Sequence, residues 1–274
     1  MQYKILASDL DGTLFNNKAE VSPENWAAIE QMHKMGIHFV PASGRAFGEM
    51  PPQLRESPLI RYYISSDGSA VYDKHTGKSY DLALSREVGH AVLDKFYSYD
   101  VCIMLHADNV SYVEKSTHNA EHYGAYRMNQ AWIYFAQLCE QPVSNLKELA
   151  YSLPAIQSFC VFFKNMDELQ ECKAFFEKDD RILVAQTDPC NLEVFASHAG
   201  KGNALWLLAD VLGVPREATI GVGDSTNDMT LVQSAGLGLA MENAVPELKA
   251  AADEIICSNQ EHSAAYILKH YIEK

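Results

Sequence analysis

Four short clusters in the chain carry residue types that could act on a charged substrate. Asp9 and Asp11, in Asp9-Leu10-Asp11-Gly12-Thr13-Leu14, follow directly on the strand-like segment 3–8. An extended backbone points residues two apart to the same side, and Gly12 lets the chain turn sharply behind them. Alone, this cluster reads equally well as an acidic turn, because Asp-Gly is a common turn dipeptide. Gly221-Val222-Gly223-Asp224-Ser225-Thr226-Asn227-Asp228 again follows a short apolar run and opens a helical pattern. Helix capping accounts for one of its polar residues, not for two acids and an asparagine behind a pair of glycines. Lys201-Gly202 stands just before a helical run, where a lysine can face the same crevice, although most lone lysines are solvated surface residues. Ser43-Gly44-Arg45 closes another apolar run. Its hydroxyl and backbone N–H groups can hold phosphate oxygens, and by itself it is an ordinary turn. Together the four offer carboxylates for a hard cation, a lysine, a hydroxyl and backbone donors. Phosphoryl transfer needs that set, since it rests on charge neutralisation and in-line positioning.

The elements around these clusters can bring them to one place. Residues 3–8 read as a buried strand; Ser22-Pro23 reads as a helix N-cap with proline at the first helical position; Gly36 ends that helix and 37–40 is the next strand. Strand, helix, strand in this order predicts a right-handed parallel crossover. The pattern resumes over 202–271, with helices at 202–212 and 226–234, short strands at 218–222 and 237–240, and a tail helix. In open α/β sheets the ligand site lies at the carboxyl ends of the strands, where all four clusters fall. The segment between is different: a hairpin over 71–80, then strands near 101–105, 110–113 and 156–163 mixed with helices and an aromatic-rich stretch at 117–140. The expected fold is therefore α/β, a Rossmann-like doubly wound parallel sheet built from 1–83 and 190–274, with an inserted α+β domain over 84–189.

Charge narrows the function classes. Lys and Arg total 22 against 36 Asp and Glu, a net charge of −14. A nucleic-acid binder needs a basic surface, and an anionic membrane would repel this chain. An acidic protein that handles anions needs a metal or a local group of cations to reverse the field at the site. The six cysteines are scattered without a Cys-x-x-Cys pair, which suits free thiols in a reducing compartment. No signal-peptide pattern or long apolar run is present, so a cytoplasmic location is expected.

The ordered set DLDGT, ASGR, KGNAL and GDSTND is similar to that of the haloacid dehalogenase superfamily. The segment Gly238-Leu239-Ala240-Met241-Glu242-Asn243-Ala244 and the large insert resemble Cof-type phosphatases with a C2B cap. The resemblance implies roles for the matching positions. Asp9 would attack phosphorus and form an aspartyl-phosphate. Asp11 would protonate the leaving oxygen and then activate water. Mg²⁺ would be held by Asp9, Asp224 and a backbone carbonyl, that of Leu10 or, more usually in the family, of Asp11. Ser43 and Gly44 would bind the phosphoryl group, Lys201 would neutralise charge, Asn227 would orient phosphate or Lys201, and Asp228 would support the metal's surroundings. An acid at position 11 serves an alkoxide leaving group, so the implied substrates are small phosphate monoesters such as sugar or cofactor phosphates, and the implied partner is a small phosphorylated metabolite handled by a monomer or small homo-oligomer. A phosphomutase and a catalytically silent binding module are the alternatives. The lack of an Arg cluster in the insert and the complete motifs speak against them. One departure is Ser66-Asp67-Gly68-Ser69, where many Cof-type members carry Asn-Gly-Ala.

Two histidine pairings, His118 with His122 and Cys102 with His106, have the spacing of a metal site but lack further ligands, so a structural role is expected. Tyr123, Tyr126, Trp132, Tyr134 and Phe135 are expected in the insert's core, and Glu193 and Val194 receive no catalytic role.

Overall fold

The computed structural model describes residues 3–273. It divides into two compact units: one formed by the chain up to Gly44, by Pro51–Tyr80 and from Gly200 onward, the other by Arg45–Met50 and Asp81–Ala199.

The first unit is built on five parallel strands in the order Glu254–Ile255, Leu237–Ala240, Thr219–Gly223, Ile5–Ser8, His38–Pro41. All four residues of Ile5–Ser8 are buried, and the strand reads as an unbroken apolar run because its sheet is parallel and covered. Ser8 pairs with Val222 on one side and Pro41 on the other, so Asp9, Gly223-Asp224 and Ala42-Ser43 leave the sheet at the same edge. Pro23–Lys34 crosses from the first strand to its neighbour. The Ser22 hydroxyl caps it by accepting from the Asn25 N–H (3.2 Å). Beyond His38–Pro41, Ala42 bridges to Ile64 of the strand Tyr62–Ser65, which runs into an antiparallel sheet with Ala70–Asp73 and Lys78–Asp81.

The second unit is a six-stranded sheet in the order Ile182–Ala185, Asn191–Ala196, Ser158–Phe163, Val101–Ala107, Val110–Glu114, Gln141–Val143, antiparallel except for its last pair. Leu105, Phe159, Val161, Leu192 and Val194 pack on one face with Val92, Phe96, Leu146, Leu169 and Phe176 from the helices Arg86–Phe96, Leu146–Ser152 and Met166–Phe176. Met104, Cys160 and Phe162 on the opposite face pack with Tyr123, Tyr126, Ile133 and Trp132 from the region 120–139. The expected boundary at 190 differs from this division. Asn191–Ala196 pairs with Ser158–Phe163 and Ile182–Ala185 in the second unit, because a fully buried strand carries no mark of which sheet will take it. Arg45–Met50, expected in the core, also belongs to the second unit. There the Gly48 N–H donates to the Asn109 carbonyl (2.9 Å) and Glu49 lies 3.3 Å from His106. Tyr134 departs from the expected core: it is 69% exposed, on the outer face of Gln130–Cys139.

Candidate active site

The first unit brings the acidic clusters and the lysine together. Lys201 opens the helix Lys201–Leu212 and is completely buried. Its Nζ donates to Asp9 Oδ1 at 2.7 Å and to Asp228 Oδ1 at 2.6 Å. The other Asp228 oxygen accepts the backbone N–H groups of Asp224 (3.0 Å) and Ser225 (3.1 Å). Asp228 thus ties the loop after Thr219–Gly223 to the lysine. Asp9 is held at its backbone as well, its N–H donating to the Val222 carbonyl at 3.0 Å. Carboxylate oxygens of Asp9, Asp224 and Asp228 all lie within 4.8 Å of one another, the one group of three or more acidic, His or Cys side chains among the described residues that could hold a metal ion.

The electrostatics follow from burial. Desolvation, then the neighbouring Asp228 and Asp224, push the Asp9 carboxyl well above the usual range, against the pull of Lys201. Desolvation and Asp228 push Asp224 up to about 7, and Asp11 adds to that rise. Burial alone would lower Lys201, but Asp228 and Asp9 outweigh it and hold the ammonium protonated. Three carboxylates and one ammonium leave two negative charges, the charge of one divalent cation. The donors are all oxygens, which suits a hard ion such as Mg²⁺. Asp228 is committed to Lys201 and two N–H groups, so Asp9 and Asp224 are the carboxylates with an oxygen left to offer it.

The other residues singled out in the sequence fall nearby in different ways. Gly12 has φ of +79° and a Cβ there would collide with the Asp224 carboxylate, so the turn that carries Asp11 needs glycine on both counts. The Asn243 side-chain amide donates to the Gly12 carbonyl (2.8 Å) and the Thr13 hydroxyl donates to Asp224 Oδ1 (3.5 Å). Asp11 is exposed, in contrast to buried Asp9, because the backbone coils after Asp9 instead of continuing as a strand. The alternation expected of an extended pair does not hold here. The Leu10 side chain is buried and its carbonyl accepts from the Phe15 N–H (2.8 Å). Ser43 is buried, and its N–H donates to the Ile64 carbonyl (3.0 Å). The Asn227 amide nitrogen donates to Asp67 (3.4 Å) and its oxygen accepts from Ser225 Oγ (2.6 Å). Thr13 and Asn243 were not singled out. Both stand inside quoted motifs, and only the folded contacts reveal what they touch.

In the second unit His118 Nδ1 lies 2.7 Å from the Tyr123 hydroxyl, which donates to the buried Glu140 at 2.6 Å. His122 stacks at a tilt on Tyr126, with ring centroids 4.7 Å apart. Trp132 and Phe135 flank the Arg45 guanidinium, which lies 4.2 Å from the Phe135 ring centroid.

A parallel α/β sheet with acids and a buried lysine at its carboxyl edge, interrupted by a separate α+β unit, defines a hydrolase core with a cap. The family model of the haloacid dehalogenase-like hydrolases matches residues 6–268. The chain is 30% identical to the phosphatase YwpJ of Bacillus subtilis, covering 98% of this chain and all of that protein. It is 25% identical to the 5-amino-6-(5-phospho-D-ribitylamino)uracil phosphatase YwtE of Bacillus subtilis, covering 97% of this chain and 96% of that one. A haloacid dehalogenase-like hydrolase from B. subtilis superposes with a TM-score of 0.82 at 26% identity, over 98% of this chain and 99% of the other. The chain belongs to the haloacid dehalogenase-like hydrolases, in their Cof-type branch, and is a phosphoric monoester hydrolase. Among the described residues no helix is long and apolar enough to cross a membrane.

Proposed function

We propose that the chain is a Mg²⁺-dependent phosphatase of small phosphate monoesters, sugar or cofactor phosphates, with Asp9 as its nucleophile. The observation that carries this reading is the buried array in which Lys201 bridges Asp9 and Asp228. A carboxylate buried among other acids is a poor nucleophile unless its charge is stabilised, and Lys201 supplies part of that stabilisation. As the Asp9–phosphorus bond forms, the bond to the leaving oxygen breaks and Asp11 donates its proton to that oxygen. Having given up that proton, Asp11 is left as the base that the second half-reaction needs. In the second half-reaction Asp11 takes a proton from water as the water oxygen attacks phosphorus, which frees Asp9 and inorganic phosphate. Ser43, the Gly44 N–H and Asn227 hold the phosphoryl oxygens. Asp9, Asp224 and the carbonyl of Asp11 would hold Mg²⁺, which when bound neutralises charge on the carboxylates and the phosphoryl group.

The substrate class rests on chemistry and on a relative. A net charge of −14 disfavours polyanions such as nucleic acid, and YwtE is a phosphatase of a ribityl phosphate carried on a heterocycle. The working form is a monomer or small homo-oligomer in the cytoplasm. The test is phosphate release from a panel of phosphorylated sugars, nucleotides and cofactors, with Mg²⁺ and with EDTA. Release that needs Mg²⁺ is expected, strongest on polyol or cofactor phosphates. A folded protein that releases phosphate from none of them overturns the proposal.

A further inference from the structure

One short turn, Ser66–Gly68, reaches three of the groups just assigned to phosphate. The Asp67 N–H donates to the Ser43 carbonyl at 3.2 Å. The Asp67 carboxylate accepts from the Asn227 amide nitrogen at 3.4 Å. A Cβ on Gly44 would stand 3.0 Å from Asp67 Oδ1 and 3.3 Å from Oδ2, so the carboxylate lies against the Gly44 backbone where any side chain would sit. Asp67 itself is 2% exposed, and the turn packs against the helix that begins with Lys201.

The turn is held in an unfavourable backbone shape. Ser66 and Asp67 have φ of +50° and +54°, in the left-handed region that non-glycine residues rarely occupy. The hydroxyls of Ser66 and Ser69 are buried without a hydrogen-bond partner among the described residues. Such features persist where the surroundings over-determine them, and they concentrate at functional sites.

We propose that Asp67 is a positioning residue, which orients Asn227 and seats the Ser43-Gly44 loop for the phosphoryl group; this inference rests on the phosphatase reading above. An amide side chain has two orientations differing by exchange of its oxygen and nitrogen. Ser225 Oγ donates to the Asn227 oxygen at 2.6 Å. Asp67 Oδ1 accepts from the nitrogen at 3.4 Å. The two contacts select the same orientation, and the second N–H of Asn227 is left for a phosphate oxygen. Acting through Asn227 and Gly44, Asp67 contributes to catalysis without touching the reacting atoms.

The experiment is a double-mutant cycle of Asp67→Ala, Asn227→Ala and both, with Asp67→Asn alongside. The measurements are kcat and KM for the best phosphate monoester with Mg²⁺. Misplacement of a positioned group by a fraction of an ångström lowers the rate, so Asp67→Ala should lose about tenfold in kcat/KM, chiefly in kcat. The double variant should lose clearly less than the product of the two single losses, since residues that act partly as one unit are non-additive. Asp67→Asn keeps an acceptor oxygen and should stay within about threefold of the wild type. Additive losses, or an Asp67→Asn variant as poor as Asp67→Ala, overturn the inference. Should Asp67→Ala fail to fold, Asn227→Asp replaces it. That variant sets two carboxylates face to face, and adding Asp67→Asn must restore activity by about tenfold; no restoration refutes the pairing. A wild type without turnover sinks the phosphatase reading and this inference together, whereas an active wild type with additive variants sinks the role of Asp67 alone.

Discussion

Lys201→Met removes a cation in contact with two buried acids and keeps much of the side chain's volume. Lys201 has no exposed surface, and its Nζ lies 2.7 Å from Asp9 and 2.6 Å from Asp228. Taking away one partner of a buried ion pair leaves an uncompensated charge and costs about 3–5 kcal/mol. The loss falls unevenly on the two acids. Asp228 keeps the N–H groups of Asp224 and Ser225 on its second oxygen, so Asp9 is left the more exposed to repulsion. Its carboxyl is already raised well above 3.8 by burial, by Asp228 and by Asp224, with Lys201 opposing. Without Lys201 the rise is larger. The sign then follows: a carboxyl raised in the folded state penalises folding only above its unfolded value near 3.8, and the penalty grows with pH until the folded value is passed. The deficit of the variant against the wild type should therefore widen with pH. Urea unfolding followed by circular dichroism, in EDTA at fixed ionic strength and at about pH 5.5, 7 and 8.5, reads it. The expected deficit at pH 8.5 is about 3 kcal/mol or more, and smaller at pH 5.5. A deficit below about 1 kcal/mol at pH 8.5, or one that does not change with pH, would refute the claim that Lys201 opposes the rise of the Asp9 carboxyl.

Three further outcomes are expected. Asp9→Asn should lower phosphate release by at least about 10³-fold with the circular dichroism spectrum unchanged, since an amide cannot form the covalent intermediate; substantial Mg²⁺-dependent turnover would falsify the nucleophile assignment. Gly12→Ala forces a Cβ into the Asp224 carboxylate at a positive φ, and should weaken activation by Mg²⁺ in a titration of rate against metal more than it lowers the thermal midpoint. Burial, opposed by the Tyr123 hydrogen bond and helped by Glu49, holds the Glu140 carboxyl up at about 8. This contribution should lower wild-type stability as pH rises from about 4.5 to 8, and Glu140→Gln should flatten the profile and stand about 1 kcal/mol or more above wild type at pH 9 in thermal melts; parallel profiles would refute it.

What could be read from the chain, and what could not, divides along physical lines. The parallel sheet is legible because its strands are buried runs closed by turn residues and because Ser22-Pro23 caps the crossover helix as its residues demand. The convergence of Asp9, Lys201, Asp224 and Asp228 is legible because each stands at the end of a strand or start of a helix, where topology fixes the edge. Direction within that edge is less so. Asp9 and Asp11 sit two apart, yet one is buried and the other exposed, because the backbone coils between them. The membership of Asn191–Ala196 and Arg45–Met50 in the second unit was out of reach for another reason. A buried strand and a short polar turn take their partners from tertiary contacts, namely the antiparallel pairing with Ser158–Phe163 and the approach of Glu49 to His106. No local pattern encodes either.

An acidic chain that handles anions resolves its conflict locally. The net charge of −14 belongs to the whole surface, where salt screens it beyond about 10 Å. At the carboxyl edge of the parallel sheet the relevant charges are Asp9, Asp224, Asp228 and Lys201, packed at hydrogen-bond distances and mostly out of water. Low local dielectric makes any imbalance there costly. Without a cation the protein meets that cost by holding Asp9 and Asp224 towards their neutral forms, which is the state least able to attack phosphorus. On the proposed reading a divalent cation would complete the balance at these carboxyls, so metal dependence and activation of Asp9 would stem from one arrangement, and equal turnover in EDTA would contradict both.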